Sequence, residues 1–262
     1  MTLKKLLKKP IIDEFLTYLR ALFFLRKKTK FVIFSQGRTG STLLVDLLNN
    51  HPDIQCDDEI LNVQLSGKRI FPILFVKAKA NLNKKKVYGF KVKIYQLNNL
   101  NLMKSHPDQN KDPKKFLINL YKSGWKIIYL TRKNILRQVI SSHIAEKRGS
   151  YHHRTTEGKL ALPKMYIDPK EILIQIKNRE GYKDFEEEIL KHIPHLKIIY
   201  EEDLLVNKQK TLNKIFVYLG LDSYPVKSNL VRTSKKNLKD YIINYKELVK
   251  SISKTQYRYF LE

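Results

Sequence analysis

The 262-residue chain carries 51 Lys and Arg against 25 Asp and Glu, a formal net charge of +26. That length can bury one substantial core, and the composition excludes collagenous, coiled-coil and disordered classes. The charge makes an anionic ligand, surface or polymer an expected partner, and the single cysteine, Cys56, excludes an intrachain disulfide and fits a reducing, cytoplasmic setting.

Residues 1–30 hold nine basic and two acidic residues, with Ile11, Ile12, Phe15, Leu16, Leu19, Leu22 and Phe23 at helical spacing. A basic amphipathic helix over 1–30 is expected, ahead of a single domain over 31–262. Its apolar face has two uses: packing on the domain, or peripheral contact with an anionic membrane surface. Asp13, Glu14 and Arg20 interrupt the apolar run and no small-residue cleavage site follows, which fits a signal peptide poorly. Stretches such as Ala21 to Leu25 and Ile127 to Leu130 fall far short of the ~18 residues that span a bilayer.

Phe31-Val-Ile-Phe34 reads as a buried strand, residues 35–42 as a Gly- and Ser-containing turn, and Leu43, Leu44, Leu47 and Leu48 as one helical face. Further strands are expected at 87–94, 125–130 and 196–200, and helices at 113–122, 134–146, 168–192, 208–219 and 237–253. The basic segment 147–166 reads as a loop over the strand ends, where such folds receive substrate. Strands alternating with helices predict an α/β fold, P-loop-like, with three α/β/α layers around a central, mainly parallel sheet.

The turn Ser35-Gln36-Gly37-Arg38-Thr39-Gly40-Ser41-Thr42 joins the first strand to the first helix. Helix entry offers unpaired N–H groups and the positive end of the helix dipole, a seat for phosphate or sulfate. Gly37 and Gly40 permit close approach, Ser41 and Thr42 add hydroxyls, and Arg38 adds a planar fork of donors. Against G-x-x-x-x-G-K-[ST], Gly40 and Thr42 fit, but Ser35 replaces the first glycine and Ser41 the lysine, which disfavours a nucleoside triphosphatase or P-loop kinase. The strand 125–130 runs into Thr131-Arg132, where a Walker-type enzyme often offers Asp to magnesium. No metal is expected: His152-His153 lacks the spacing of a helical metal pair, and Cys56 has no cysteine partner.

These residues resemble the superfamily of sulfotransferases that use 3′-phosphoadenosine 5′-phosphosulfate (PAPS), in particular its bacterial carbohydrate sulfotransferases. SQGRTGSTLLVDLLNNHPDI is similar to the 5′-phosphosulfate loop, IIYLTRKNILRQVISSHIA to the 3′-phosphate segment, and IIYEEDL with LNKIFVYLGL to a later strand and helix. The C-terminal NLKDYIINYKELVKSISKTQYRYFLE also resembles the family's last helix. The resemblance implies that Arg38 and residues Gly37, Thr39, Gly40, Ser41 and Thr42 hold the 5′-phosphosulfate, Arg38 also acting catalytically on the charge of the leaving phosphate oxygen in an in-line transfer, with Arg132 and Ser141 on the 3′-phosphate. Cytosolic members separate that Arg and Ser by eight residues; here Arg132 and Ser141 are nine apart, so Lys133 and Ser142 are alternatives.

Transfer to a hydroxyl needs a proton acceptor within reach of the attacking oxygen. Asp57-Asp58-Glu59 follows the first helix closely, and Glu59 best matches the Glu of carbohydrate-modifying relatives; Asp58 is the reserve, and His106 and His143 compete. Lys91 reads either as a group for the bridging oxygen or as the exposed face of a strand. The implied acceptor is a carbohydrate or glycolipid. A basic nucleic-acid- or membrane-surface-binding protein is the reading from another class, but no aromatic-basic recognition motif or helix-turn-helix signature accompanies the charge, and no nucleic-acid partner is expected.

Overall fold

The computed structural model describes residues 12, 14–21, 28–62, 69, 71–97, 112–151, 153, 155–158, 162–230 and 237–261. Among these residues five strands are formed: β1 (Thr29–Ser35), β2 (Ile54–Asp57), β3 (Val87–Lys93), β4 (Trp125–Thr131) and β5 (His195–Ile199). They make one sheet in the order β2-β3-β1-β4-β5, with every pair parallel. Phe31 to Phe34 carry no apolar–polar alternation, so both faces of β1 need cover, and the middle of a parallel sheet supplies it.

Helices fill both faces. Val32 and Phe34 pack with Phe75, Val76 and Ala80 of α2 (Pro72–Leu82), Phe116, Leu117 and Leu120 of α3 (Pro113–Lys122), and Ile189 and Leu190. Phe31 and Ile33 point the other way, onto Leu44, Leu47 and Leu48 of α1 (Ser41–Asn49) and Leu212, Ile215 and Phe216. The three-layer α/β/α expectation therefore holds. A third cluster forms from α4 (Ile135–Arg148), the first half of α5 (Pro169–Leu190), α7 (Tyr245–Ser253) and the C-terminal residues Tyr257 and Phe260. Between the second cluster's strands and the chain's end lies α6 (Lys208–Leu219), which carries Leu212 to Phe216. Helix starts follow local chemistry: Asp112 and Asp168 each cap a helix whose first residue is proline, and Asn134 accepts from the Arg137 amide.

Several expectations change in detail. The last strand spans 195–199, and Tyr200 opens a π-helical turn, Tyr200–Val206. The helix expected over 237–253 splits, because the Met165 amide donates to the Tyr241 carbonyl and the Ile243 amide to the Met165 carbonyl, each at 2.8 Å. That extended pairing leaves only a short turn at Leu238–Asp240 before α7. Strand β2 and helix α2 were not anticipated.

The first helical stretch, 14–21, turns its polar side inward. Glu14, Thr17 and Ala21 are buried, while Phe15, Leu16 and Leu19 are exposed. The Glu14 carboxylate accepts from the Phe71 amide at 2.9 Å and from the Tyr18 hydroxyl. Packing of the apolar stripe on the domain is thus overturned for these residues, and Ile11, Leu22 and Phe23 lie outside the described ones.

Gly89 sits in the middle of β3 against the ring of Phe31, and a Cβ built there would lie 2.2 Å from Phe31 Cζ. Both groups are fixed in a packed sheet, so neither can yield cheaply. Gly89→Ala is expected to lower unfolding free energy by about 2–4 kcal/mol, read as a reduced denaturant midpoint at unchanged slope.

Candidate active site

Parallel strands all end at one edge, and the chain's chemistry collects there: Ser35 at the end of β1, Asp58 and Glu59 after β2, Lys93 at the end of β3, Arg132 after β4 and Glu201 after β5. The loop after β1 lies where the strand order reverses, between β3 and β4, which is the crevice position of open α/β sheets.

The loop is built under strain. Arg38 has φ 65°, the positive-φ residue other than glycine among those described. Such a conformation costs a non-glycine residue of order 1 kcal/mol and persists only where surroundings enforce it. The enforcing contacts fall on its neighbour: the Gly37 carbonyl accepts from Gln138 Nε2 at 2.8 Å and from Arg179 at 3.1 Å. Thr39 Oγ1 closes the turn on the Gln36 carbonyl at 2.9 Å. Gly40, at φ 86°, precedes α1, and a Cβ there would lie 2.4 Å from the Tyr200 ring. Among the described residues the N-cap Gly40 offers no side-chain cap and the first turn of α1 holds no acid, so its positive dipole end lies at the crevice.

Three guanidinium groups gather here. Arg38 reaches across to α4, with Nε 3.0 Å from Ser141 Oγ and a second nitrogen 2.8 Å from the Tyr151 carbonyl. Arg132 is buried, bonds Glu201 at 3.1 Å and the Arg38 carbonyl at 3.1 Å, and lies over the Tyr200 ring. Arg179, from the middle of α5, also donates to Ser142 Oγ at 2.8 Å. Burial lowers the Arg38 pKa to about 10, with repulsion from Arg132 and Arg179 adding to it. Burial, then Arg132, likewise lowers Arg179. Charges that depress one another in a partly dry site are stabilised by an incoming anion.

This placement sorts the expected residues. Arg38, Arg132 and Ser141 do come together, and Arg132 rather than Lys133 faces the loop, since Lys133 is exposed and pairs with Glu202. The Arg38 side chain extends toward Ser141 rather than over the start of α1. The cation beside α1 is Lys91, whose Nζ donates to Thr42 Oγ1 at 3.0 Å. Lys91 is 1 % exposed, so its reading as an exposed strand residue is overturned. Its Nζ also meets Asp58 at 2.6 Å and Glu59 at 3.1 Å, and Glu59 meets Lys93 at 2.6 Å. Asn62 and Gln96 donate to the other Glu59 oxygen. Burial pushes the Glu59 pKa upward, but Lys91 and Lys93 outweigh it and hold the carboxyl at about 2. His143 lies on α4 with Nε2 buried and without a hydrogen-bond partner among the described residues; His106 lies outside them. Arg179 and Glu186 escaped the sequence reading; the interruption of an otherwise polar helix by apolar Ile172, Ile176 and Ile189 showed a buried face, but not which polar residues shared it.

Glu186 supports the loop from beneath. Its Oε2 accepts from Gln36 Nε2 at 3.3 Å and from the Tyr129 hydroxyl at 3.2 Å. Burial lifts its pKa to about 8, against the partial opposition of those two hydrogen bonds.

The sequence matches no family model and no curated protein. Among solved structures, a sulfotransferase from Alicyclobacillus acidocaldarius is similar over 88% of this chain and 93% of that one, with TM-score 0.50 and 12% identity. The sulfotransferase domain of the curacin biosynthetic pathway covers 77% of each chain, with TM-score 0.46 and 15% identity. A mouse sulfotransferase solved with PAP covers 77% of this chain and 62% of its own, with TM-score 0.47 and 16% identity.

Because folding raises the proton affinity of Glu186, its contribution to stability is full below the ordinary carboxylate range and is lost as pH rises toward about 8. Glu186→Gln is expected to flatten that slope and to raise stability by about 1–3 kcal/mol at slightly alkaline pH. Thermal melts of both proteins across that range decide it; parallel curves would reject a buried neutral Glu186. With its fold shared with the Alicyclobacillus enzyme, the chain has the three-layer architecture on which sulfotransferases are built.

Proposed function

We propose that the chain is a sulfotransferase that uses PAPS as donor and an acceptor hydroxyl of a carbohydrate or glycolipid. The observation that carries the proposal is the meeting of Arg38, Arg132 and Arg179 with Ser141 and Ser142 around a strained loop at the uncapped start of α1.

The residues fit a ligand with two anionic ends. Amides of 39–42 and the hydroxyls of Ser41 and Thr42 serve the 5′-phosphosulfate, at the positive end of α1. Arg38, Arg132 and Ser141 serve the 3′-phosphate, and Arg179 braces them through the Gly37 carbonyl and Ser142. Bound there, PAPS supplies an activated sulfuryl group. Position 41 is Ser, so the P-loop lysine that holds ATP phosphates has no counterpart in the loop, which sets this reading above a kinase.

Lys91 and the loop amides meet the negative charge that grows on the bridging oxygen as the bond to sulfur breaks. Glu59, pinned by Lys91, Lys93, Asn62 and Gln96, accepts the acceptor's proton. A carboxylate with a pKa of about 2 is a weak base toward an alcohol, but the hydroxyl becomes strongly acidic once its oxygen begins to bond to sulfur. Proton transfer is therefore late, and Glu59 orients the hydroxyl before it takes the proton. The cytoplasmic placement expected from the single cysteine belongs to the same proposal.

Arg38→Ala is expected to weaken adenosine 3′,5′-bisphosphate binding by roughly a hundredfold, the loss of a buried charge-assisted contact, measured by calorimetry. Glu59→Gln is expected to leave that binding nearly intact while slowing radiolabelled sulfate transfer to a glycan mixture about 10²–10⁴-fold. Bisphosphate binding unaltered by Arg38→Ala, or magnesium-dependent ATP binding in its place, would remove the proposal.

A further inference from the structure

The helical stretch 14–21 docks in the reverse sense to an ordinary surface helix. Glu14, Thr17 and Ala21 are the buried side chains, and the Phe71 backbone is clamped to it at both ends: its amide donates to Glu14 at 2.9 Å and its carbonyl accepts from the Tyr18 hydroxyl at 3.1 Å. The outward side is then Ile12, Phe15, Leu16 and Leu19, an i, i+3, i+4, i+7 stripe that keeps 41–59 % of its surface exposed. Phe71 and Leu74, on the element to which the stretch is tied, are 59 % and 50 % exposed. Six large apolar side chains in water on one region of a highly charged protein call for an occupant.

Charge identifies the occupant. Glu14 is turned inward, so the charged residue exposed on the described stretch is Arg20, and residues 1–30 hold nine Lys and Arg against Asp13 and Glu14 alone. An apolar stripe flanked by positive charge, with its acid folded away, matches the acyl boundary and headgroups of an anionic lipid bilayer. Among the described residues no helix is long and apolar enough to cross a membrane, which suits lying on the surface.

We propose that this face docks the protein peripherally on anionic membranes, with Phe15, Leu16 and Leu19 entering the interface and Lys and Arg side chains engaging lipid headgroups. The docking is independent of the sulfuryl-transfer reading, since no residue of the stripe belongs to the anion crevice. It presents the enzyme to acceptors at a membrane surface.

The test is co-sedimentation of the full chain with phosphatidylcholine vesicles, with and without about one third phosphatidylserine. Binding is expected to need the anionic lipid, to weaken with added salt, and to fall roughly tenfold for each of Phe15→Ser and Leu19→Ser, as each removes one buried apolar side chain. Retained bisphosphate binding by both variants shows that the fold survives. Equal binding of variant and parent to vesicles, or no binding by the parent, overturns the proposal. So does a concentration-dependent dimer in sedimentation velocity that Phe15→Ser dissociates, which gives the face to a second copy of the chain.

Discussion

The arrangement depends on one constraint: β1 is the middle strand of an all-parallel sheet. Parallel strands place every carboxyl end on one edge, so residues far apart in sequence arrive together. Helix α1 must then start at that edge, bringing its first-turn amides and positive dipole end with it. The same topology buries most of β1, β3 and β4, and Tyr95 and Tyr200 lie against the loop glycines Gly37 and Gly40. Electrostatic interactions at such an edge are stronger than on an open surface.

The cost of that gathering is visible in the loop. Arg38 takes a backbone conformation that a non-glycine residue avoids, and its guanidinium is held near Arg132 and Arg179 despite mutual repulsion. Opposing these are contacts from two helices: Gln138 of α4 and Arg179 of α5 hold one carbonyl, and Glu186, two turns further along α5, holds Gln36. A buried acid kept neutral can accept from Gln36 and Tyr129 without placing an ionised carboxylate in the core. The rigid support comes from two long helices, so α4 and α5 belong to the site as much as the loop does.

Much of this was legible in the sequence because it is local. A continuous apolar run, two glycines, hydroxyls and a leucine-rich helix announce strand, loop and helix within twenty residues, and Arg132 follows a strand that is equally plain. What escaped was set by tertiary contact. Strand β2 is four residues long and carries Gln55 and Asp57 between its apolar positions, too short a signal to separate from a loop. Arg179 is 142 residues from the Gly37 carbonyl that it holds, so no spacing rule reaches it. Lys91 sits in an apolar strand where alternation suggests a solvent face; only the arrival of Asp58, Glu59 and Thr42 explains its burial. The stripe at 12–19 showed a helix, but periodicity gives the apolar face and not its direction. Glu14 decided that, through a hydrogen bond to a backbone amide 57 residues away.

The crevice separates its cations by kind, and the separation follows from what each side chain can do. The three arginines lie with serine hydroxyls and present planar forks of donors, which suits fixed, multidentate holding of phosphate oxygens. The two lysines lie with carboxylates at the ends of β2 and β3, where Lys91 bridges Thr42 at the start of α1 to Glu59. An ammonium is a compact charge on a flexible stem, able to shift from a carboxylate toward an oxygen that is gaining charge. Under the proposed sulfuryl transfer, a Lys91 leaning toward such an oxygen would loosen its hold on Glu59 and make the carboxylate more basic, at the stage when a proton must be taken. In that proposal a single buried lysine couples charge stabilisation on one side of the reacting centre to proton acceptance on the other. That coupling gives a physical reason to bury Lys91 in the sheet at the expense of desolvating it.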